Sequence, residues 1–139
     1  MKKEIVIIGG GVVGLSAAVL LGALNLDVTV LDAKPIIKNT SEALDLRVYA
    51  INAASQGLFE KLNIWSLLPS ERLSPYRNMY VWDEASKGIL SFGAQELGLK
   101  ALGHIVEEKQ LKNALLERID TFSNITLYDE CQLTAFYIS

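Results

Sequence analysis

The first apolar positions form an unbroken run, Ile5-Val6-Ile7-Ile8, which runs straight into Gly9-Gly10-Gly11. A β-branched run without alternation predicts a central parallel strand buried on both faces. From Val12 to Leu24 the chain is apolar on every side and too short to span a bilayer. That pattern predicts a helix pressed against a sheet, with Asn25 closing it in the left-handed conformation. Asp27-Val28-Thr29-Val30-Leu31 predicts a second strand, ending at Asp32. Ala33 to Leu44, with Pro35, Asn39, Thr40 and Ser41, reads as a loop, and Asp45 to Ala50 as a short extended piece. Asn52 is a candidate N-cap. It precedes a helix over Ala53 to Leu62 with Ala54, Leu58, Phe59 and Leu62 on one face, ended by Asn63.

The second half alternates shorter signals. Ser66 to Pro75 is irregular. Asn78 to Asp83 reads as a strand, Gly88 closes a polar loop, and Ile89 to Phe92 is the partner strand. Tyr80 and Trp82, alternate residues of that strand, read as core positions. Gly93 to Gly103 is a loop or weak strand. Leu102 to Val106 leads into a helix from near Glu107, with Leu111, Ala114, Leu115 and Ile119 at helical spacing. Glu107 and Glu108 suit its N-terminus and Arg118 its C-terminus. Ile125 to Tyr128 is another short strand, and Leu133 to Ile138 starts one more whose partner strand is missing.

The first segment also carries chemistry. Gly9, Gly11 and Gly14 fit G-x-G-x-x-G, a weak pattern alone, but here a strand precedes it, a helix follows, and a second strand ends in an acid. In that arrangement Gly9 permits the tight turn, Gly11 lets backbone approach a pyrophosphate, and Gly14 lets helix and strand pack closely. The amides of the first helical residues, Val12 and Val13 among them, offer donors and a partial positive charge to phosphates. Asp32 can accept both ribose hydroxyls of a dinucleotide, and an acid there argues against a 2′-phosphate, so NADP is not the expected ligand of this turn.

Length and composition narrow the classes. A chain of 139 residues, half of it apolar, is one ordinary domain with a core. A net charge of −3 gives no basic surface for nucleic acid. The single cysteine, Cys131, precludes an internal disulfide framework, fits a reducing cytoplasm and reads as a small packed residue. One Cys and one His make a zinc site improbable, and no metal is expected. Lys2 and Lys3 before an apolar run superficially resemble a signal peptide, but the glycines within that run mark it as structure. No stretch reads as a transmembrane span; peripheral membrane contact stays open.

The sequence resembles the flavin-dependent aromatic hydroxylases, closest to the ubiquinone-biosynthesis hydroxylase family, which shares the p-hydroxybenzoate hydroxylase fold. Four blocks carry the resemblance: Ile5–Ala18 with Asp32; Asp45-Leu46-Arg47-Val48-Tyr49-Ala50-Ile51; Leu58 to Trp65; and Leu102-Gly103-His104-Ile105-Val106-Glu107 with the following helix. The first is shared by many flavoproteins; the second and fourth are far more specific.

The resemblance implies a Rossmann-like α/β FAD-binding domain with a parallel sheet and a β-hairpin excursion toward an incomplete substrate domain. Residues 1–139 would be the N-terminal part of that FAD-binding domain, and 76–100 the start of the excursion. It implies FAD as cofactor, held by Gly9, Gly11, Val12, Val13, Gly14 and Asp32, with Arg47 nearby and Gln110 approaching from the flanking helix. It implies NAD(P)H as transient reductant, oxygen, and a polyprenylated phenol or quinol as the small-molecule aromatic substrate. The setting would be cytoplasmic, with peripheral membrane contact or ubiquinone-biosynthesis proteins as partners. The family's later Asp-Gly and Gly-Asp motifs are absent, so the chain is expected to be an inactive portion of such an enzyme, and no catalytic residue is assigned. An amino-acid-oxidase-type flavoprotein, sharing the glycine-rich start, and a non-catalytic nucleotide-binding fragment are the alternatives.

Individual residues carry double readings. Arg47 is either a cofactor contact, as the resemblance implies, or a surface arginine near Asp45, with Arg72 as the surface arginine to compare it with. His104 reads as structural more readily than as acid–base. Glu107 either approaches the flavin beside Gln110 or compensates the helix dipole. Ser16 follows the glycines without the partners of a catalytic triad.

Overall fold

The computed structural model describes residues 4–85 and 88–135. Strand β1 (Glu4–Ile8), helix α1 (Val12–Ala23) and strand β2 (Asp27–Leu31) form a βαβ unit, and β8 (Ile125–Tyr128) completes a parallel sheet in the order β1-β2-β8. That is the strand order of one half of a doubly wound dinucleotide-binding sheet. Asn25 adopts φ 59° and ends α1, as its tolerance of the left-handed region predicts.

A second, antiparallel sheet stands beside it. Strand β3 (Val48–Asn52) and the short β4 (Ser74–Tyr76) flank β7 (Gly103–Glu107) in the order β3-β7-β4. Pro75 sits in β4, an edge strand, where its missing N–H costs no interior ladder bond. Helix α2 (Ala53–Lys61) follows β3 directly, and Asn52 caps it by accepting the Ser55 N–H at 2.9 Å. Asn63 ends it at φ 57°. Short 3₁₀ turns at Trp65–Leu67 and Ser70–Arg72 occupy the segment read as irregular, and a third, Gln95–Leu97, lies between β6 and β7. Strands β5 (Asn78–Trp82) and β6 (Ile89–Gly93) make an isolated hairpin whose loop is closed by the Asp83 N–H on the Gly88 carbonyl.

Helix α3 (Glu108–Ile119) runs out of β7 and packs on α1, joining the two sheets. The core lies where they meet: Leu15, Val19, Val28, Val30, Ile64, Val106, Leu111 and Leu115 are buried completely or nearly so. The helical spacing of Leu111, Ala114, Leu115 and Ile119 therefore translates directly into packing, and all of them are buried.

Several expectations need correction. Among the described residues β1 lies at the edge of the sheet, not at its centre, and Val6 and Ile8 are more than half exposed, because no described element covers that face of the parallel sheet. Phe59 and Leu62 are buried, but Ala54 and Leu58 of the same predicted face of α2 lie exposed. Tyr80 and Trp82 are exposed, Trp82 at 73%, because among the described residues no sheet or α-helix packs on the hairpin's face. Cys131 is exposed rather than packed. Leu133 to Ala135 form no strand, and the remainder of that predicted strand, 136–139, lies outside the described residues, as do Lys2 and Lys3.

Candidate functional site

The turn between β1 and α1 is built by glycines with distinct duties. Gly9 holds φ 111°, a conformation L side chains rarely adopt, and its N–H reaches the Leu31 carbonyl at 2.7 Å, stitching the turn to the end of β2. A Cβ on Gly14 would overlap the Gly9 carbonyl oxygen, so the helix can enter this close to the strand only on a glycine. Gly11, the N-cap residue of α1, has extended backbone, and a Cβ there would meet nothing within 4 Å. Gly11 therefore answers no demand of the protein's own packing. The first-turn amides of Val12, Val13 and Gly14 have no intrahelical acceptor, and Val13 is 83% exposed. Ser16 donates back to the Val12 carbonyl at 2.7 Å, inside the helix.

Asp32 stands beside this turn. Its carboxylate accepts the Gly10 N–H at 2.6 Å and the Lys34 N–H at 2.8 Å. The Lys34 amide, then the Gly10 amide, hold its pKa below the usual carboxylate value, with the Lys112 and Lys34 charges adding to them against some desolvation. Two amides occupy two of the roughly four acceptor positions of a carboxylate, leaving the others for hydroxyl donors. The Asp32 backbone is bonded as well, its N–H to the Tyr128 carbonyl at 3.0 Å and its carbonyl to the Cys131 N–H at 2.9 Å. An open glycine turn, a helix N-terminus and an ionised acid thus converge at the carboxyl end of the parallel strands. This set fits the ADP half of a dinucleotide: the cradle has room where a side chain would otherwise stand.

The other predicted residues lie on the strap that joins β2 to β3 and on α3. Arg47 is exposed, its guanidinium 3.2 Å from the Glu108 carboxylate. Tyr49, just beyond it on β3, donates to the same carboxylate at 3.0 Å, and desolvation, then that bond, raises its pKa. Tyr49 also shares an apolar groove of about 410 Å³ with Val12, Val13, Ser16, Ile51 and Leu58, which sets the strand after Arg47 beside the first turn of α1. Gln110 lines a polar cleft with Thr40, Glu42, Arg72 and Asn113. Among the described residues no hydrogen bond or ion pair joins Arg47 or Gln110 to the glycine turn or Asp32.

Glu107 is the N-cap residue of α3, at the positive end of the helix dipole, and its side chain turns inward. It is 7% exposed, accepts the Asp45 N–H at 2.6 Å and pairs with Arg72 at 3.0 Å. The Asp45 amide, then Arg72 and Lys109, hold its pKa low against desolvation. Arg72 is therefore no free surface arginine, and exposed Arg77 is the better reference for Arg47. His104 bonds Gln56 at 3.1 Å and packs edge-on against Trp65 at 5.4 Å, a structural setting. Sequence reasoning missed Lys109, Asn113 and Arg72 as strap ligands; their only sequence signal is polarity on the side of α3 facing a loop rich in backbone groups needing partners.

Residues 4–44 match the sequence model of a family described as DAO, FAD dependent oxidoreductase. The 3-demethoxyubiquinol 3-hydroxylase of Escherichia coli strain K12 is 35% identical over 125 residues, 89% of this chain and 32% of that protein. The mitochondrial ubiquinone biosynthesis monooxygenase COQ6 of Dictyostelium discoideum is 28% identical over 141 residues, 91% of this chain and 28% of that protein. The chain thus spans about a third of the length of the curated relatives it matches. Among solved structures, the flavin-dependent monooxygenase PieE, determined in complex with FAD and substrate, superposes with a TM-score of 0.65 at 16% identity, covering 94% of this chain and 24% of that one. The Rossmann-like α/β fold with its parallel sheet and the resemblance to ubiquinone hydroxylases are both borne out. The family match runs from β1 through the glycine turn, α1 and β2 into the strap; the hydroxylase likeness runs through nearly the whole chain.

Proposed function

We propose that this chain binds FAD, with the pyrophosphate over Gly9 to Gly14 at the amides of Val12 and Val13, and the adenosine ribose at Asp32. The observation that carries the reading is the Asp32 carboxylate, fixed by the Gly10 amide beside a Gly11 whose side-chain space is open. Arg47 and Gln110 are assigned to the cofactor's side of the strap and of α3. Residues 1–139 are taken as the N-terminal part of an FAD-binding domain, with 76–100 as the start of a substrate-domain excursion. The exposed β5–β6 hairpin is in keeping with that.

The reaction follows from the relatives' chemistry: hydroxylation of a polyprenylated phenol or quinol on the way to ubiquinone, with NAD(P)H as reductant and oxygen as co-substrate. FAD, when bound, supplies the redox chemistry. This chain's residues hold the ADP half by amides and a carboxylate, and Gly14 keeps the helix N-terminus against the phosphates. A polyprenylated ring partitions into membranes, so the reading implies a cytoplasmic protein working at a bilayer surface. Among the described residues no helix is long and apolar enough to cross a membrane. The amino-acid-oxidase-type reading draws on the first βαβ unit and the strap, up to residue 44, whereas the likeness to hydroxylases also covers the Asp45–Ile51 and Gly103–Glu107 blocks; the non-catalytic reading differs only in lacking turnover.

The test uses the protein expressed from its native gene, with FAD, NADH or NADPH, oxygen and a polyprenylated phenol. Nicotinamide oxidation stimulated by the phenol, with one oxygen atom gained in the product, is expected. Bound flavin with neither stimulation nor product would remove the hydroxylase assignment and leave FAD binding standing.

A further inference from the structure

The strap from Asp32 to Arg47 has no regular secondary structure, yet its backbone groups are met one after another by side chains far away in sequence. Asn113 accepts the Asn39 N–H at 2.9 Å and donates to the Asn39 carbonyl at 2.7 Å. Lys109 Nζ donates to the Ser41 carbonyl at 2.9 Å and also to the Ala43 carbonyl. Arg72 donates to the Glu42 carbonyl at 2.7 Å, and Glu107 accepts the Asp45 N–H at 2.6 Å. Lys109 and Glu107 are 5% and 7% exposed and lie 3.7 Å apart. Burying such a pair carries a desolvation cost that a packed apolar pair avoids, so its presence asks what geometry it fixes.

The bonds lead to Arg47. Asp45, held through its own N–H by Glu107, accepts the Arg47 N–H at 3.0 Å and the Lys109 N–H at 3.2 Å on its carboxylate. The Arg47 carbonyl accepts the Glu108 N–H at 2.9 Å. Both backbone groups of Arg47 are therefore fixed at the β7–α3 junction, while its side chain stays 73% exposed. At its other end the strap is bonded to Asp32 through the Lys34 amide and lies against the glycine turn, since a Cβ on Gly10 would meet Ile36. A rigid backbone beneath an exposed guanidinium is pre-organisation: the ordering cost is met on folding rather than on binding.

We infer that Glu107 and Lys109 are positioning residues that hold the strap so that Arg47 meets the part of the cofactor beyond the ADP held by the glycine turn and Asp32. This rests on the reading of Arg47 as a cofactor contact. It predicts a specific split between FAD and ADP, because the turn and Asp32 are also held by bonds the clamp does not make, Gly9 to Leu31 and Asp32 to Gly10 and Tyr128.

The experiment titrates the 139-residue chain and its Lys109→Met, Glu107→Gln, Arg47→Ala and Lys109→Met/Arg47→Ala variants with FAD and with ADP. Melting temperature and hydrogen exchange at the Asp45 and Arg47 amides are followed in parallel. Lys109→Met should weaken FAD about tenfold, leave ADP within about twofold, and speed exchange at both amides. Glu107→Gln, which keeps an acceptor for the Asp45 N–H, should show a smaller loss of the same kind even if Lys109→Met folds poorly. In the Arg47→Ala background Lys109→Met should cost no further FAD affinity. Equal losses for FAD and ADP, or losses that add to that of Arg47→Ala, would reduce the clamp to general stability and overturn the inference. An Arg47→Ala variant that binds FAD like the parent would refute the Arg47 reading itself, and the inference with it.

Discussion

At the scale of single residues, Gly11 and Gly14 separate two reasons for a glycine. Gly14 is required by the fold, since any side chain there meets the Gly9 carbonyl. Gly14→Ala should therefore lower stability by about 1–3 kcal/mol, measured by denaturant unfolding, with FAD affinity falling only as the turn shifts. Gly11 is required by no packing contact in the protein, and on the proposed reading its open side-chain space belongs to the cofactor. The acids give a pH signature. Asp32, Asp45 and Glu107 all have folded pKa values held below their ordinary ones, by amides of Lys34, Arg47 and Asp45 respectively as the largest cause. Each contributes stability that is present above the unfolded carboxylate range, about pH 4, and lost as pH falls through the folded value. Melting temperature should be flat from neutral pH down to about 5 and fall below about 4, less steeply in Glu107→Gln. An unchanged slope in that variant would mean Glu107 gains nothing from its partners.

At the scale of elements, local chemistry carried far and then stopped. The Asn52 cap was legible because capping is decided within one turn, and Asn52→Ala should cost about 1 kcal/mol in thermal or denaturant unfolding. The face of α3 was legible because its apolar residues repeat at helical spacing and meet α1. Half of the α2 face was misread because Leu58 opens onto the groove beside α1 rather than into the core. The strap could be recognised as a loop from Pro35, Asn39, Thr40 and Ser41, but not its fixed shape. That shape depends on Lys109, Asn113, Glu107 and Arg72 reaching carbonyls and amides dozens of positions away, which no local pattern reports. For the same reason Arg72 read as a plain surface residue, and the buried partners of Glu107 were not legible.

At the scale of the molecule, the order β1-β2-β8 follows from the two parallel strands and the helix between them, the part of the sequence with the strongest patterning. Burial did not follow. Parallel sheets ordinarily carry layers on both faces, yet here Val6, Ile8 and Tyr128 lie on an exposed face, and the hairpin adds Tyr80, Trp82, Ile89 and Leu90. Exposed apolar strands of this kind associate. The 139-residue chain should show concentration-dependent oligomers by light scattering, diminished in Trp82→Lys, and a strict monomer at all concentrations would contradict that expectation. The central claim is that the glycine turn and Asp32 hold FAD. The direct test is calorimetric titration of FAD into the chain and into Gly11→Val, each checked by melting temperature. The account predicts saturable binding to the parent chain and at least about tenfold weaker binding to the variant, which stays cooperatively folded with only the small loss of a poorer N-cap; equal affinity in two folded proteins would contradict it.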